Sequence, residues 1–476
     1  MTSVRVESSA PTPVTIIGGG PVGLSTALFL AYQNIPTVIL EQRAVRLDAP
    51  RAHVVNPRSL EIYRSFGLDV DRMIVEATSP NDDHTSWFTT RLCGRWLGSL
   101  PFETQDDTFT PHPRINLQQP KLERILLGHA AHKSEIDLRA GHRVVGLTMG
   151  GDDVILDVET VDHEHYTVRS KFVVAADGAA SGVRESLGIG MHGQADVNRC
   201  LTVHFEANLR RIIRDKPGMF YWTVGAELPG IFIAYDIDQT WVYISFAAPE
   251  QLPDLTHAEA ILTDALGSTE IDLAVRHIIP WTMTAQVADR YRCGPVFLVG
   301  DAAHRFPPSG GLGLNTGIQD AHNLAWKIRG VVEGFADAAI LDTYEQERRP
   351  VAEINTQQSL KNAEAAVRVL SLPGDASQAT VDAALGGMYD GLNSLGLQLG
   401  YTYQPRPGQN PQVAEYRPSG AVGGRLPHAW LQHGGRRMST LDLLDPLAFT
   451  VLAGPDGAPE WSRVDYVFIH LKTLCL

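Results

Sequence analysis

Residues 14–32 read VTIIGGGPVGLSTALFLAY, and this stretch decides the architecture of the chain. The β-branched run before the glycines predicts a buried strand, and the apolar run from Leu24 onward predicts a helix. Gly18 permits a tight turn, Gly20 lets the backbone approach a pyrophosphate, and Gly23 lets the helix pack closely on the strand. The helix N-terminus offers free N–H groups and a partial positive charge to phosphate. The stretch therefore predicts a dinucleotide-binding βαβ unit.

An acidic residue follows the second predicted strand, Thr37–Leu40. This residue, Glu41, lies 23 residues after Gly18, where a carboxylate can bind both ribose hydroxyls of an adenosine. It would repel a 2′-phosphate, so the site is typical of FAD or NAD rather than NADP. Two other interpretations fit this stretch alone: a plain NAD dehydrogenase, and a membrane span or signal-peptide core. The glycines and Pro21 favour the βαβ unit over the membrane interpretation.

A second glycine-rich stretch, GDAAHRFPPSGGLGLNTGIQD at residues 300–320, favours FAD over NAD. It follows an apolar run, Val296–Val299, which predicts another strand. Asp301, at the carboxyl end of that strand, can accept hydrogen bonds from ribityl hydroxyls. Pro308 stiffens the next turn, and the glycines after it leave backbone N–H groups free to face a planar ring. A helix predicted over Thr316–Val332 directs its N-terminus at the flavin's pyrimidine end, where negative charge accumulates on reduction.

A third motif, ADGAASGVR at residues 176–184, lies between these two stretches. Together the three segments resemble the group A flavoprotein aromatic hydroxylases, the family of para-hydroxybenzoate and phenol hydroxylases. The resemblance covers roughly residues 12–370. It implies an α/β fold: an FAD-binding Rossmann-like βαβ domain, an inserted, mainly β substrate domain and a short thioredoxin-like C-terminal segment.

The resemblance also implies which residues contact the cofactors. Those expected to bind FAD are Gly18, Gly20, Gly23, Glu41, Arg51, Gln119, Asp177, Gly178, Asp301, Pro308, Gly311, Gly313, Leu314 and Asn315. Asp177 and Gly178 are expected to touch the transient reductant, NADH or NADPH, as well. Arg51 and Gln119 match positions near the flavin's phosphate and ribityl groups. Taken alone, the Asp177 motif fits a strand-to-turn with a surface arginine, Arg184, equally well.

The resemblance, together with the positions of the motifs, predicts the domain limits. The FAD-binding domain is expected over 1–90, 115–190 and 285–370, and the substrate sheet over 91–114 and 191–284. Four strand-like runs between 199 and 248 support the sheet. The aromatic residues predicted to line its pocket are Tyr221, Trp222, Phe232, Tyr235 and Tyr243, with core packing as the alternative for each. Residues 405–476 resemble the start of the thioredoxin-like domain of the phenol and chlorophenol hydroxylase branch and are short for one, so a partial segment is expected.

Composition excludes several classes of protein. With 476 residues, 44% hydrophobic and 20% charged, the chain is typical of a globular protein of two or three domains. A net charge of −14 argues against a nucleic-acid partner. The four cysteines are scattered without metal-like spacing, so we expect no metal site and a reducing, cytoplasmic setting. No transmembrane segment is expected, and a homodimer stays an open expectation.

The resemblance implies an FAD-dependent, NAD(P)H-consuming monooxygenase that uses O2 to hydroxylate a phenolic or polyketide-like aromatic through a C4a-hydroperoxide of the flavin. A phenol of pKa about 10 is a poor nucleophile at neutral pH, so a nearby base helps. His53, eight residues before Glu61, is the candidate, because phenol hydroxylase relatives carry an acidic residue or a histidine at this place. A histidine titrates in the useful range. A structural histidine is the alternative, and His304 is a second candidate, expected to pack beside the flavin.

Two further functions fit the motifs. One is a related FAD oxidoreductase of secondary metabolism that epoxidises, desaturates or oxidatively rearranges its substrate. The other is a flavin-binding relative without turnover, against which the intact motifs at Asp177 and Asp301 argue. The choice between NADH and NADPH stays open, because members of this family lack a second dinucleotide-binding domain from which it could be read.

Overall fold

A computed structural model describes residues 5–6, 10–46, 48, 51–102, 107–151, 153–247, 253–403, 412–453 and 471–475. A nine-stranded, mostly parallel sheet forms the first half of the architecture. Its main path runs Arg292–Cys293, Val296–Leu298, His165–Ala175, Thr12–Ile17, Thr37–Glu41 and Ile136–Ala140. Arg5–Val6 and Asp153–Thr160 also pair with His165–Ala175, and His142–Gly150 pairs with Asp153–Thr160. The strand Thr12–Ile17, which ends at the glycine turn, has parallel neighbours on both sides. Its carboxyl end therefore lies in the middle of the sheet edge, where ligands bind in doubly wound folds.

Helix Pro21–Tyr32 packs on strands Thr12–Ile17, Thr37–Glu41 and Ile136–Ala140. The central strands are almost wholly buried, which explains why they are continuous apolar runs. The helices of the described residues are Pro21–Tyr32, Pro57–Ser65, Val70–Glu76, Gln119–Ala130, Gly182–Ser186, Arg210–Ile213, Leu255–Leu266, Leu312–Glu333, Asp342–Leu370, Gln378–Gly386, Tyr389–Leu392 and Leu395–Leu399. Short 3₁₀ turns lie at Pro80–Asp82, Gly300–Ala302, Ala338–Leu341 and Thr440–Leu443. The predicted first helix begins at Pro21 rather than Leu24, because the fixed φ of proline suits the first helical position.

An eight-stranded sheet forms the second half. Its strands run in the order His304–Arg305, Ala274–Ala288, Met191–Glu206, Thr240–Ser245, Gly230–Asp236, Phe220–Thr223, Thr85–Thr89 and Trp96–Pro101. All neighbours are antiparallel except Phe220–Thr223 with Thr85–Thr89. One face packs on helix Leu255–Leu266, and the other packs on the second half of helix Asp342–Leu370.

Two strands lie outside the limits predicted for the substrate sheet. Thr85–Thr89 pairs with Phe220–Thr223, and His304–Arg305 pairs with the end of Ala274–Ala288. The sequence does not reveal these two pairings, because both strands are short and their partner strands lie elsewhere in the chain. Among the described residues, no helix is long and apolar enough to cross a membrane.

The described part of the C-terminal region packs against the first half through a buried ion pair. A hairpin, Trp430–His433 with Arg436–Ser439, is followed by the parallel pair Phe449–Ala453 and Leu471–Cys475. Just before the hairpin, Arg425 donates two hydrogen bonds to Glu61, at 2.7 and 2.5 Å. Both side chains are at most 3% exposed. Residues 454–470 of the predicted thioredoxin-like segment lie outside the described residues.

Breaking this ion pair tests how strongly the C-terminal region is attached. Arg425→Ala leaves the Glu61 carboxylate buried without its main cation, so we expect about 3 kcal/mol less unfolding free energy by urea denaturation. The matched control is Arg417→Ala, since Arg417 pairs with Glu415 at 2.9 Å while 74% of its side chain is exposed. That change should leave the unfolding free energy close to the wild-type value, because solvent screens an exposed ion pair. Equal effects of the two changes would contradict the assignment.

Candidate active site

A different structural constraint favours glycine at each of the three positions of the first motif. Gly18 has a φ of +104°, and an added Cβ would lie 2.3 Å from the Ala176 carbonyl oxygen. A Cβ on Gly23 would lie 2.0 Å from the carbonyl oxygen of Gly18. Gly20 caps the first helix, and nothing lies within 4 Å of the position of a Cβ there. The first two glycines close the turn, whereas Gly20 keeps the front of the helix open to a ligand.

Glu41 is hydrogen-bonded inside the same turn. Its Oε2 accepts from the Gly19 N–H at 2.7 Å, and its Oε1 accepts from the Arg43 N–H at 2.8 Å. A carboxylate has about four acceptor positions, so two remain for ribose hydroxyls. Glu41 therefore shapes the glycine turn in addition to the ribose-binding role predicted for it.

The Asp177 motif is held by a buried arginine. Arg184 is 4% exposed and donates to the carbonyls of Ala179 and Ala302 at 3.3 and 3.2 Å. The alternative of a surface arginine is therefore wrong, because this guanidinium links the Asp177 turn to the Asp301 turn. The Oδ2 atom of Asp177 accepts from the Val183 N–H at 3.2 Å, while its buried Oδ1 has no partner among the described residues. Burial raises the pKa of Asp177.

Asp301 follows its strand as predicted, in the 3₁₀ turn Gly300–Ala302. Surrounding protein raises the pKa of its carboxyl, and the positive charges of His304, Arg305 and Arg51 oppose this shift. The positive charge of Arg51 therefore acts on Asp301, and the flavin contacts of both residues stay predictions. Gln119 is joined to the same segment, since its Oε1 accepts from the Ala52 N–H at 3.3 Å.

Within the second glycine-rich stretch, Gly311 adopts the left-handed backbone conformation immediately before the long helix. Gly311 has a φ of +63° and caps helix Leu312–Glu333, while the Pro308 carbonyl accepts from its N–H at 3.1 Å. The helix begins four residues earlier than predicted, so Gly313 and Leu314 lie in its first turn. First-turn N–H groups have no partner within the helix and can therefore face a flavin ring.

Asn315 uses its whole side chain to join two segments. Its Nδ2 donates to the carbonyls of Val54 and Gly311 at 2.9 and 2.7 Å. Its Oδ1 accepts from the Asn56 N–H at 2.9 Å and the Ser59 hydroxyl at 2.7 Å. With all four bonds made inside the protein, the Asn315 amide positions the ring-binding helix and is not itself free for the ring.

A buried charge network lies beneath this helix. The carboxylate of Asp320 accepts from His304 Nε2 at 2.7 Å and from Arg348 Nε at 2.8 Å, and all three side chains are fully buried. Asp320 also accepts from the Gly300 N–H at 3.2 Å. Burial alone would raise the pKa of Asp320, but the charges of His304 and Arg348 lower it. The ring of His304 is inaccessible, so this second catalytic candidate is placed as a structural residue.

His53 lies beside the junction made by Asn315. Its Nδ1 is 2.9 Å from Asn116 Oδ1, and its ring centroid is 5.1 Å from that of Tyr235 and 5.8 Å from that of Phe220. No described residue bonds Nε2. Burial, and to a lesser degree the charge of Arg114, lowers the pKa of His53 to about 4, and the hydrogen bond between His53 and Asn116 Oδ1 opposes this shift. The imidazole is therefore neutral at pH 7, not half-titrated as its ordinary pKa suggested.

The five predicted pocket aromatics fall on opposite faces of the eight-stranded sheet. Trp222 and Tyr235 share the face towards His53 and helix Asp342–Leu370. The structure does not bring Tyr221, Phe232 and Tyr243 to this face: they pair across neighbouring strands and pack on helix Leu255–Leu266. These three residues therefore pack in the core, the alternative given for each, because successive side chains of a strand point to opposite faces.

Comparison with known proteins agrees with this geometry. Residues 11–359 match the family described as FAD binding domain. The chain belongs to this family. Tetracenomycin A2 monooxygenase-dioxygenase of Streptomyces glaucescens is 32% identical over 95% of this chain and 84% of its own length. The 2,4-dichlorophenol 6-monooxygenase of Delftia acidovorans is 30% identical over 94% and 85%.

A solved structure extends the likeness to nearly the whole chain. The flavin-dependent monooxygenase PieE, in complex with FAD and substrate, superposes with a TM-score of 0.88 at 29% identity, covering 98% of this chain and 90% of that one. The protein is thus an FAD-dependent monooxygenase, and the predicted fold class, enzyme class and cofactor are confirmed.

The described residues fit FAD. The open front of the first helix suits a pyrophosphate, the unpartnered Oδ1 of Asp177 suits a hydroxyl donor, and the first turn after Gly311 suits the flavin ring. Gly20, Asp301 and Gly313 would line the path between them. Individual contacts of these residues with FAD stay predictions.

Sequence reasoning missed the residues that position the site. Asn116 and Arg348 lie in no motif and Asp320 only ends one, and the roles of the three arise from partners 16 to 118 residues away in the chain. The only local signal was the basic run at Arg348 and Arg349 inside a helical pattern, which reads as a solvated face.

The Gly18–Gly23 turn predicts a specific loss of cofactor. Gly23→Ala places a methyl group against the Gly18 carbonyl, so we expect FAD affinity to fall roughly 5- to 100-fold, the equivalent of the ~1–3 kcal/mol that overpacking costs. The measurement is titration of apoprotein with FAD. Gly128→Ala is the control, because a Cβ at this helical position meets nothing within 4 Å. Unchanged FAD affinity in Gly23→Ala would contradict the assigned close packing.

Proposed function

We propose that this monooxygenase hydroxylates a phenolic or polyketide-like aromatic compound, and that His53 accepts the proton of the substrate's hydroxyl group. The observation that carries the proposal is the placement of His53. A neutral imidazole with Nε2 free of described partners lies against Phe220 and Tyr235, one residue from the Val54 carbonyl that Asn315 binds. The relative named for 2,4-dichlorophenol supports a phenol as the substrate class.

FAD, when bound, supplies the transfer of electrons from NADH or NADPH and the activation of O2. The aromatic side chains of Phe220 and Tyr235 would hold an aromatic ring beside His53 and exclude water from it. Because the pKa of His53 is about 4, complete removal of a phenol proton before the reaction is unfavourable. His53 therefore acts as a hydrogen-bond acceptor that takes up the proton as positive charge develops on the substrate ring.

The exchange of His53 tests this role. His53→Ala should lower product formation per flavin oxidised by about 100-fold, the lower range for a positioned general base, while FAD stays bound. Rapid mixing of the NADH-reduced enzyme with O2 and a panel of phenols, with product counted by mass, gives this ratio. His84→Ala is the control, since His84 is an exposed histidine bonded to Pro80. Hydroxylation by His53→Ala at the wild-type level at every pH would remove His53 from the mechanism.

An oxygen-18 label separates this proposal from its alternative, a related FAD oxidoreductase that desaturates or rearranges its substrate. A hydroxylase transfers one atom of labelled O2 to the product, whereas desaturation transfers none. Oxidation of NAD(P)H that is stimulated by substrate would exclude the other alternative, a flavin-binding relative without turnover.

We also infer the wider organisation of the enzyme. The FAD-binding domain is proposed to comprise the nine-stranded sheet with its helices, and the substrate domain the eight-stranded sheet, followed by a partial thioredoxin-like segment. A cytoplasmic setting is supported by the scattered cysteines, two of which, Cys200 and Cys293, are free and at least partly buried. The homodimer stays a proposal that light scattering of the FAD-loaded protein would decide.

A further inference from the structure

The amide of Asn116 has only one orientation that satisfies its partners. Asn116 is 1% exposed, and its Nδ2 donates to the Ala234 carbonyl at 2.9 Å. A flipped amide would place its oxygen against that carbonyl, which has no proton to share. The Oδ1 atom therefore faces His53 Nδ1, 2.9 Å away, and can only accept a hydrogen bond from it.

We infer that Asn116 is a positioning residue that holds His53 in the Nδ1–H tautomer, so that the lone pair of Nε2 faces the substrate. The inference rests on the proposed function for the use made of Nε2, but the tautomer itself follows from the amide orientation alone. A neutral imidazole carries one proton, and the nitrogen that donates it leaves the other as the acceptor.

The backbone holds the two residues in register. Val54–Val55 pairs with Ile115–Asn116 in a short antiparallel ladder, with Val54 opposite Asn116. The Leu117 N–H donates to the His53 carbonyl at 2.6 Å. The His53 ring is then confined by the edges of Phe220 and Tyr235. One hydrogen bond, donated by His53 Nδ1 to the amide oxygen of Asn116, is therefore enough to select both the tautomer and the direction in which Nε2 points.

The charges around His53 favour the neutral ring. Arg114, two residues before Asn116, adds a positive charge on this side, and its guanidinium lies 3.5 Å from the Asp83 carboxylate. Tyr235, from the eight-stranded sheet, stays protonated because burial raises its pKa. No described carboxylate acts directly on His53 to stabilise an imidazolium. The choice of tautomer is consequently meaningful at neutral pH.

The wild-type enzyme provides the first test without any turnover. In FAD-loaded protein labelled with ¹⁵N-histidine, long-range ¹H–¹⁵N spectra distinguish a protonated Nδ1 from a protonated Nε2. The His53→Ala spectrum identifies the signals of His53 by their loss. We expect a protonated Nδ1 and an unprotonated Nε2 at neutral pH. A protonated Nε2 would overturn the inference, whatever the activity of the enzyme.

Two variants of Asn116 provide the second test. Asn116→Ala removes the acceptor, so we expect the Nδ1–H signal to weaken and hydroxylation per reduced flavin to fall about tenfold, the effect of one hydrogen bond at the upper end of its range. Asn116→Asp keeps an acceptor for Nδ1, so it should retain the tautomer and most of the rate, but it loses the donor to the Ala234 carbonyl and should be less stable than the wild type. Its carboxylate also stabilises the imidazolium, which moves the acid limb of the pH profile to higher pH.

These outcomes separate the inference from the proposed function. If His53→Ala is inactive while Asn116→Ala keeps the wild-type rate and tautomer, the positioning role is overturned and the base role stands. If His53→Ala hydroxylates normally, the base role is overturned and a protonated Nδ1 still supports the tautomer assignment. FAD retention by each variant shows that it folds. Should Asn116→Ala fail to fold, the wild-type spectrum decides the question.

Discussion

The four hydrogen bonds of the Asn315 side chain hold the active site together. They join the first turn of helix Leu312–Glu333, where the flavin ring is expected, to the segment that carries His53. A buried amide with all four positions satisfied is rigid, because breaking any bond would leave a polar group without a partner in the core. The distance between the cofactor's end of the site and the candidate base is thus set by one side chain rather than by a flexible loop.

A buried charge network around Asp320 also stabilises the helix to which Asn315 belongs. Asp320, in helix Leu312–Glu333, binds the segment Gly300–His304 and Arg348 of helix Asp342–Leu370, so three parts of the chain meet at one carboxylate. Such a network is costly to bury and is retained where geometry matters, since a hydrophobic replacement would pack as well without fixing directions. Here it holds the turn that presents Asp301 against the helix that begins at Gly311. The two elements expected to face the flavin are therefore bonded to the same carboxylate.

The sequence predicted the first half of the molecule better than the second. Glycine turns at Gly18 and Gly311 depend on backbone freedom and local order, which single residues reveal. Whether an aromatic residue lines the pocket depends on the face of the sheet to which its side chain points. Tyr221 and Trp222 are neighbours with the same aromatic character, yet the first packs on helix Leu255–Leu266 and the second on the opposite side. No alternation of polar and apolar residues marks the difference, because both faces of this sheet are covered.

The sequence by itself determined the class of protein: a dinucleotide-binding βαβ unit, two further flavin motifs and a candidate histidine near them. The glycine turns follow from the conformational needs of a few adjacent residues, and the histidine follows from the resemblance to phenol hydroxylases. The tertiary structure alone decided the electrostatic state of that histidine and the direction of its ring. Burial lowers the pKa of His53, and Asn116, 63 residues away, meets it only through a two-residue strand pair. Desolvation and long-range hydrogen bonds are properties of packed neighbours, which chain order does not contain.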